Sequence, residues 1–182
     1  MDRTEYTISI AKANALAIAL IAPIGLIESL PMIIFHSLSF SAFKELTFAT
    51  ATFGLLKLTA VITLGIVVHE LLHGLGWMFF CKKKWRSISF GIKWEYMTPY
   101  CHCSEPLKRG QFLLGAALPL LVLGLVPVFI AFSTGDFKLW FFGFFFSIAA
   151  SGDLIAIWML RKVKRHQLVL DHPEELGFIV EE

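Results

Sequence analysis

Residues 58–80 read LTAVITLGIVVHELLHGLGWMFF, an apolar run of 23 residues interrupted by three ionisable side chains, His69, Glu70 and His73. A helix needs about 20 apolar residues to cross a bilayer, so this run is long enough to form a transmembrane helix. Ionisable side chains inside such a helix are costly, and each is therefore a candidate for a functional site. This stretch predicts a membrane protein and indicates where its functional site lies.

Three other runs have comparable lengths, residues 13–35, 112–132 and 139–160. The composition agrees, because only 16 % of the 182 residues are charged, whereas a soluble domain carries about 25 %. The sequence therefore predicts an all-α integral membrane protein, with a single domain over residues 1–182 and four transmembrane helices in the lipid bilayer. A net charge of only +2, without a basic face, excludes a nucleic-acid-binding module.

The basic residues are distributed unequally over the segments that join these runs. Thirteen of the 16 lysines and arginines precede the first run, follow the second or follow the fourth, and only Lys44, Lys57 and Lys138 fall on the opposite side. Because positively charged segments stay in the cytoplasm, we expect a multi-pass protein of the cell membrane with both termini and residues 81–111 cytoplasmic.

A short β-structure is expected between the second and third helices. Apolar and polar side chains alternate from Ser87 to Tyr96, and this period of two predicts a strand. Residues 100–103 would return as a second strand, so that residues 85–103 form a small cytoplasmic hairpin with its apolar face inward. In the cytoplasmic tail, residues 161–182, short strands are expected at 168–170 and 178–180, and pairing with the hairpin is one option.

The sequence HELLH at residues 69–73 has the spacing of a zinc-binding motif. Histidines at positions i and i+4 project from one face of a helix and can provide two ligands to a tetrahedral Zn²⁺ ion. Glu70, beside the first histidine, is placed to act as the general base of a metallopeptidase. The alternative is a helix whose histidines form hydrogen bonds to neighbouring helices, and it has to explain three buried polar side chains.

A third metal ligand has to come from another part of the chain. Asp153 lies eight residues before Arg161 and so about 12 Å from that end of its helix, which matches the depth of His73. Glu95 follows the motif at another known ligand spacing, but it lies on the polar face of the predicted strand. We therefore favour Asp153 as a direct ligand, and the alternative is that its carboxylate only forms a hydrogen bond to a ligating histidine. Glu28 lies about 24 Å from the cytoplasmic end, too far for direct ligation, and is interpreted as a protonated or hydrated carboxyl group.

The segment Cys101-His102-Cys103 has the residue types of a metal site. The two cysteines share one face of a strand while His102 points away from it, so one ion cannot easily bind all three, and a structural strand explains the segment better. His102, at the mouth of the site, and Glu95 are retained as candidates for contacts with a substrate or with the metal ligands. The chain has three cysteines, which do not form a disulfide framework.

Four motifs connect the chain with known proteins: HELLHGLG at 69–76, YCHCSEP at 100–106, SGD at 151–153 and DHPEELGF at 171–178. On these motifs the chain resembles the putative zincin peptidase family and is similar to the site-2 proteases, which are intramembrane zinc metalloproteases. The resemblance implies zinc ligation by His69, His73 and Asp153, with Glu70 as the catalytic base. Site-2 proteases usually carry an Asn-Pro-Asp-Gly motif, and since SGDL stands here at 151–154, the role of that asparagine is not carried over.

These observations predict a membrane-embedded zinc metallopeptidase that hydrolyses peptide bonds of membrane-associated protein or peptide substrates. A non-catalytic zinc-binding membrane protein, acting as partner or regulator of another membrane protein, is the alternative, and it predicts a closed site with four protein ligands. Metal transport predicts several sets of ligands along a path, whereas the sequence contains one cluster and the isolated Glu28.

Overall fold

Five helices make up most of the protein in a computed structural model that describes residues 3–36, 53–95, 98–173 and 175–181. They are α1 (Ile10–His36), α2 (Phe53–Met78), α3 (Arg109–Thr134), α4 (Phe137–Ala149) and α5 (Ser151–Leu160). Each of the four predicted apolar runs falls largely within these helices. We expected Lys44 in a connecting segment and Tyr96 in a strand. Both residues lie outside the described part of the chain.

Three of the helices, α1, α2 and α3, are long and apolar enough to cross a membrane. The fourth predicted run is divided between α4 and α5, which meet at an angle of 50° and would make a fourth span if they cross as one bent unit. Because the backbone N–H and carbonyl groups of a helix bond to each other, an apolar helix of this length can lie in the water-free interior of a bilayer. The helices are therefore compatible with a membrane protein.

The all-α prediction is wrong, because the described residues also form two antiparallel sheets. Their strands are β1 (Arg3–Ile8), β2 (Ile88–Lys93), β3 (Thr98–Cys103), β4 (Leu107–Lys108), β5 (Leu168–Asp171) and β6 (Leu176–Glu181). One sheet has four strands in the order β1-β6-β5-β4, and the other is the β2–β3 hairpin. Strand β1 pairs with β6 from the opposite end of the chain, a long-range contact that local sequence patterns do not reveal.

The predicted hairpin is present, but its surroundings differ from the expectation. Strands β5 and β6 form their ladders with each other and with β1 and β4, and not with the hairpin. The hairpin instead lies against α2, where Phe90 and Ile88 approach the bare Cα of Gly74. Phe90 and Ile92 are 45 % and 44 % exposed, so that only part of the apolar face is turned inward.

Helices α2 and α3 touch through their backbones. A methyl group built on Gly76 would lie 2.6 Å from the Cα of Gly115, so the two glycines permit an approach that larger residues would prevent. Beside them, the indole Nε1–H of Trp77 donates a hydrogen bond of 2.9 Å to the carbonyl oxygen of Phe112. This contact fixes the face of α2 that carries His69 and His73 against α3.

The break between α4 and α5 directs the start of α5 toward α2. Asp136 caps α4 by accepting hydrogen bonds from the backbone N–H groups of Lys138 and Leu139, at 2.9 and 3.1 Å. Ala150 then leaves helical geometry, with φ −78° and ψ 10°, and α5 begins at Ser151. The main apolar core lies at this end of the molecule, where Trp77 and Phe112 from the helices pack in one cluster with side chains of the four-stranded sheet.

Candidate metal centre

Three potential ligands converge between α2 and α5. The Nε2 atom of His69 lies 3.2 Å from Oδ2 of Asp153, and the Nε2 atom of His73 lies 3.2 Å from Oδ1 of the same carboxylate. One potential ligand atom from each residue lies within 4.8 Å of the others, and within the described ranges no other group of three such residues reaches this spacing. The two histidines are brought to one face by the helical repeat, and the bend before α5 adds the aspartate.

A backbone contact orients His73. Its Nδ1 atom lies 2.9 Å from the carbonyl oxygen of Gly115, and because a carbonyl only accepts, Nδ1 carries the proton. Nε2 is thereby left as the nitrogen that can bind a metal, and such a partner on the far ring nitrogen is typical of metal-binding histidines. The ring of His73 also stacks on Trp77, with 5.3 Å between the ring centroids.

Glu70 lies on the same helix and lines the same cavity as the three ligands. The backbone N–H of Cys101 in β3 faces its carboxylate. The β2–β3 hairpin therefore lies beside the carboxylate at the candidate centre. This arrangement fits a base that is positioned by protein contacts but is not itself part of the ligand group.

The chemistry of the cluster fits a zinc ion. The donor set, two imidazoles and one carboxylate, is one that catalytic zinc sites use. Oδ2 of Asp153 is buried, and although Nε2 of His69 lies 3.2 Å away, no hydrogen bond of good geometry reaches this oxygen among the described residues. A divalent cation would give this oxygen a partner and would balance a carboxylate that is otherwise costly to bury. His69, His73 and Asp153 are therefore the residues that could hold Zn²⁺.

A cavity of about 410 Å³ opens beside the cluster. One wall consists of residues of β3, and the rest of the lining includes residues of α1, α2, α3 and α5 and of the turn between β5 and β6. His102, from the sequence-predicted set, is part of this lining, and its Nδ1 lies 2.9 Å from Oδ2 of Asp171. The cavity is therefore large enough for a bound molecule in addition to a metal ion.

The remaining sequence-predicted residues lie elsewhere. Glu95 is exposed in the turn after β2 and is not part of the ligand group. Glu28 is buried on α1, where its backbone oxygen accepts a hydrogen bond from Trp140, and it is also outside the group. Cys101 and Cys103 belong to β3, in agreement with the structural interpretation of that segment, and Sγ of Cys103 lies 3.4 Å from Sγ of Cys81.

Sequence reasoning did not identify three supporting groups, the carbonyl of Gly115, the N–H of Cys101 and the carboxylate of Asp171. The first two are backbone atoms, which every residue carries, so no residue type could indicate them. Asp171 lies within a motif that was recognised, DHPEELGF at 171–178, but its partner is 69 residues away in the sequence.

The chain matches a protein family described as putative zincin peptidase over residues 62–168. No curated protein and no solved structure matches the chain. The matched segment contains His69, Glu70, His73 and Asp153, and it extends over more than half of the 182 residues. The chain therefore belongs to the putative zincin peptidase family.

Proposed function

We propose that this protein is a membrane-embedded zinc metallopeptidase that hydrolyses peptide bonds of membrane-associated substrates. The observation that carries the proposal is the convergence of two histidine Nε2 atoms on the carboxylate of Asp153, with Glu70 beside them in one cavity. Membership of a peptidase family supports the same reaction class.

The surface of the helices supports insertion in a bilayer. Large apolar side chains are exposed on all three long helices, for example Ile34 on α1, Leu64 on α2 and Phe129 on α3. Soluble monomers rarely expose contiguous apolar surface on this scale. Together with the distribution of basic residues, this favours both termini and the β2–β3 hairpin on the cytoplasmic side.

Different residues of the protein have different roles in hydrolysis. When bound by His69, His73 and Asp153, zinc would polarise the scissile carbonyl and lower the pKa of water. The Glu70 carboxylate takes the proton of the attacking water and delivers it to the nitrogen of the leaving amine. The N–H of Cys101 faces that carboxylate, and the Gly115 carbonyl holds His73 in the tautomer that leaves Nε2 free.

The geometry favours a catalytic site over a purely structural zinc site. Structural zinc is held by four protein ligands, whereas a catalytic centre keeps one position for water or substrate. In the part of the chain that the structure describes, the ligand group has three members and the cavity lies next to them. This arrangement opposes the alternative of a non-catalytic zinc-binding partner protein.

Cleavage assays on detergent-purified, zinc-loaded protein test the proposal. A mixed library of synthetic decapeptides serves as the substrate, and mass spectrometry detects new termini. We expect wild type to cleave a subset of the library and Glu70→Gln to lose at least about 100-fold in rate, because general-base catalysis contributes about 10²–10⁴-fold.

Glu5→Gln is the matched control, since it makes the same chemical change on exposed strand β1, away from the cavity, and should leave the rate unchanged. Zinc content is measured in all three proteins. Failure of the zinc-loaded wild type to cleave any peptide would contradict the proposal, as would full activity of Glu70→Gln.

A further inference from the structure

His102 and Asp171, here called the rim pair, connect the two sheets at the cavity. Oδ2 of Asp171, at the end of β5, accepts hydrogen bonds from Nδ1 of His102 at 2.9 Å and from the backbone N–H of Cys103 at 3.3 Å. Both members of the pair are largely buried and line the cavity of the candidate metal centre. The mechanism proposed above assigns the rim pair no role.

The contact with Asp171 determines what His102 can offer. A carboxylate only accepts hydrogen bonds, so Nδ1 of His102 must carry a proton. In the neutral ring the other nitrogen, Nε2, is then a hydrogen-bond acceptor. His102 therefore presents an oriented acceptor at the cavity, and this acceptor suits an N–H group.

The outer edge of β3 offers acceptors as well. The N–H of Ser104 donates to the carbonyl oxygen of Ser87 on the partner segment, at 2.9 Å, so alternate residues of β3 turn their backbone groups away from β2. These residues are Cys103, Cys101 and Pro99. The N–H of Cys103 donates to Asp171, that of Cys101 faces the Glu70 carboxylate, and proline has none.

The edge of β3 that borders the cavity therefore offers a ligand few N–H groups, whereas the carbonyl groups of Pro99 and Cys101 point outward. An extended peptide that lies along such an edge is recognised mainly through its own N–H groups. Strand addition of this kind is a common mode of peptide binding.

We propose that His102 is a substrate-contacting residue whose Nε2 accepts a hydrogen bond from a backbone N–H of an extended peptide lying along the outer edge of β3. Asp171 is the positioning residue that fixes the ring of His102. The inference rests on the proposed peptidase function and names the substrate as an extended segment that is recognised by its N–H groups.

Substitution of His102 tests the contact. The probe is a quenched fluorogenic decapeptide that wild type cleaves, selected from the mixed library. We expect His102→Phe to raise KM about tenfold with little change in kcat, because one ground-state hydrogen bond is lost. His102→Gln should recover part of the loss, since its amide oxygen can replace the acceptor. Zinc content should stay at the wild-type value in both variants.

His166→Phe is the matched control, because His166 is an exposed histidine that does not line the cavity, and its KM should equal that of wild type. A folded, zinc-loaded His102→Phe protein with wild-type KM would overturn the inference and leave the proposed function intact. If zinc-loaded wild type cleaves no peptide, the proposed function fails and the inference fails with it.

A second measurement does not depend on the folding of a variant. N-methylation of single amides in the same peptide removes one N–H at a time. We expect KM for wild type to rise at positions two residues apart and to stay unchanged at the intervening positions, because alternate N–H groups of a strand face one edge. Equal tolerance at every position would overturn the inference.

Discussion

Replacement of Gly115 by alanine tests how the packing of α2 and α3 supports the metal centre. A Cβ atom at this position would lie 2.1 Å from Cδ1 and 2.2 Å from Nε1 of Trp77. The indole cannot easily move away, because it stacks between His73 and Phe112 and its Nε1–H donates to the Phe112 carbonyl. The added methyl group must therefore push the two helices apart or displace the ring.

The expected cost has two parts. Overpacking of a tight contact lowers the free energy of unfolding by about 1–3 kcal/mol. The same displacement disturbs the 2.9 Å contact between the Gly115 carbonyl and Nδ1 of His73, and loss of such a partner typically lowers metal affinity about 10–100-fold. Zinc affinity is measured by competition with a chelator, and stability by thermal unfolding.

Two further variants isolate the cause. Gly110→Ala lies on the same helix with no atom within 4 Å of its added Cβ, so zinc affinity should equal that of wild type. Gly76→Ala meets the Cα of Gly115 at 2.6 Å and should weaken zinc binding as Gly115→Ala does. Wild-type zinc affinity in Gly115→Ala would refute the argument that this contact orients His73.

Three other predictions concern pH, thiol reactivity and metal removal. Hydrogen bonds from the Ser87 hydroxyl and from two backbone N–H groups lower the pKa of the Glu105 carboxyl group from 4.5 to about 2. Ionised Glu105 therefore stabilises the fold above pH 4.5, and this contribution disappears as the pH falls toward 2. Thermal unfolding should show Glu105→Gln less stable than wild type at pH 7, with the difference shrinking below pH 4.5, while Glu5→Gln in exposed β1 behaves as wild type. Burial raises the pKa of the Cys103 thiol to about 12, and both Cys81 and Cys103 are 1 % exposed, so neither should react with a maleimide at neutral pH before unfolding. Rapid labelling of Cys81 or Cys103 in the native protein, located by peptide mass spectrometry, would contradict this. Zinc at 1,000 times its Kd should add about 4 kcal/mol to the free energy of unfolding, so a chelator should lower the Tm, and an unchanged Tm would argue against a bound metal.

Several features could be predicted from the sequence because they depend on local patterns. The apolar runs indicated the long helices, and the alternation after Ser87 indicated the hairpin. The depth of Asp153 was counted from Arg161, and this count stays within α5, so the bend before Ser151 did not disturb it. The structure accordingly brings Asp153 to the histidines of α2.

Other features depend on contacts that local patterns do not contain. The four-stranded sheet joins β1 at Arg3–Ile8 to β6 at Leu176–Glu181, and each strand is too short to identify without its partner. The groups that support the site are the backbone atoms of Gly115 and Cys101 and the distant carboxylate of Asp171. Only a folded chain brings these groups next to His73, Glu70 and His102. For this reason the sequence indicated the candidate ligands but not the groups that support them.

The number of zinc ions per chain shows whether His69, His73 and Asp153 form a metal centre. Elemental analysis of detergent-purified protein compares wild type with Asp153→Ala, and His166→Ala is the control because that histidine is exposed and outside the ligand group. We expect one zinc per chain in wild type and in the control, and a clear loss in Asp153→Ala. Folded wild type without zinc, or an Asp153→Ala protein with its full zinc content, would contradict a metal centre formed by His69, His73 and Asp153.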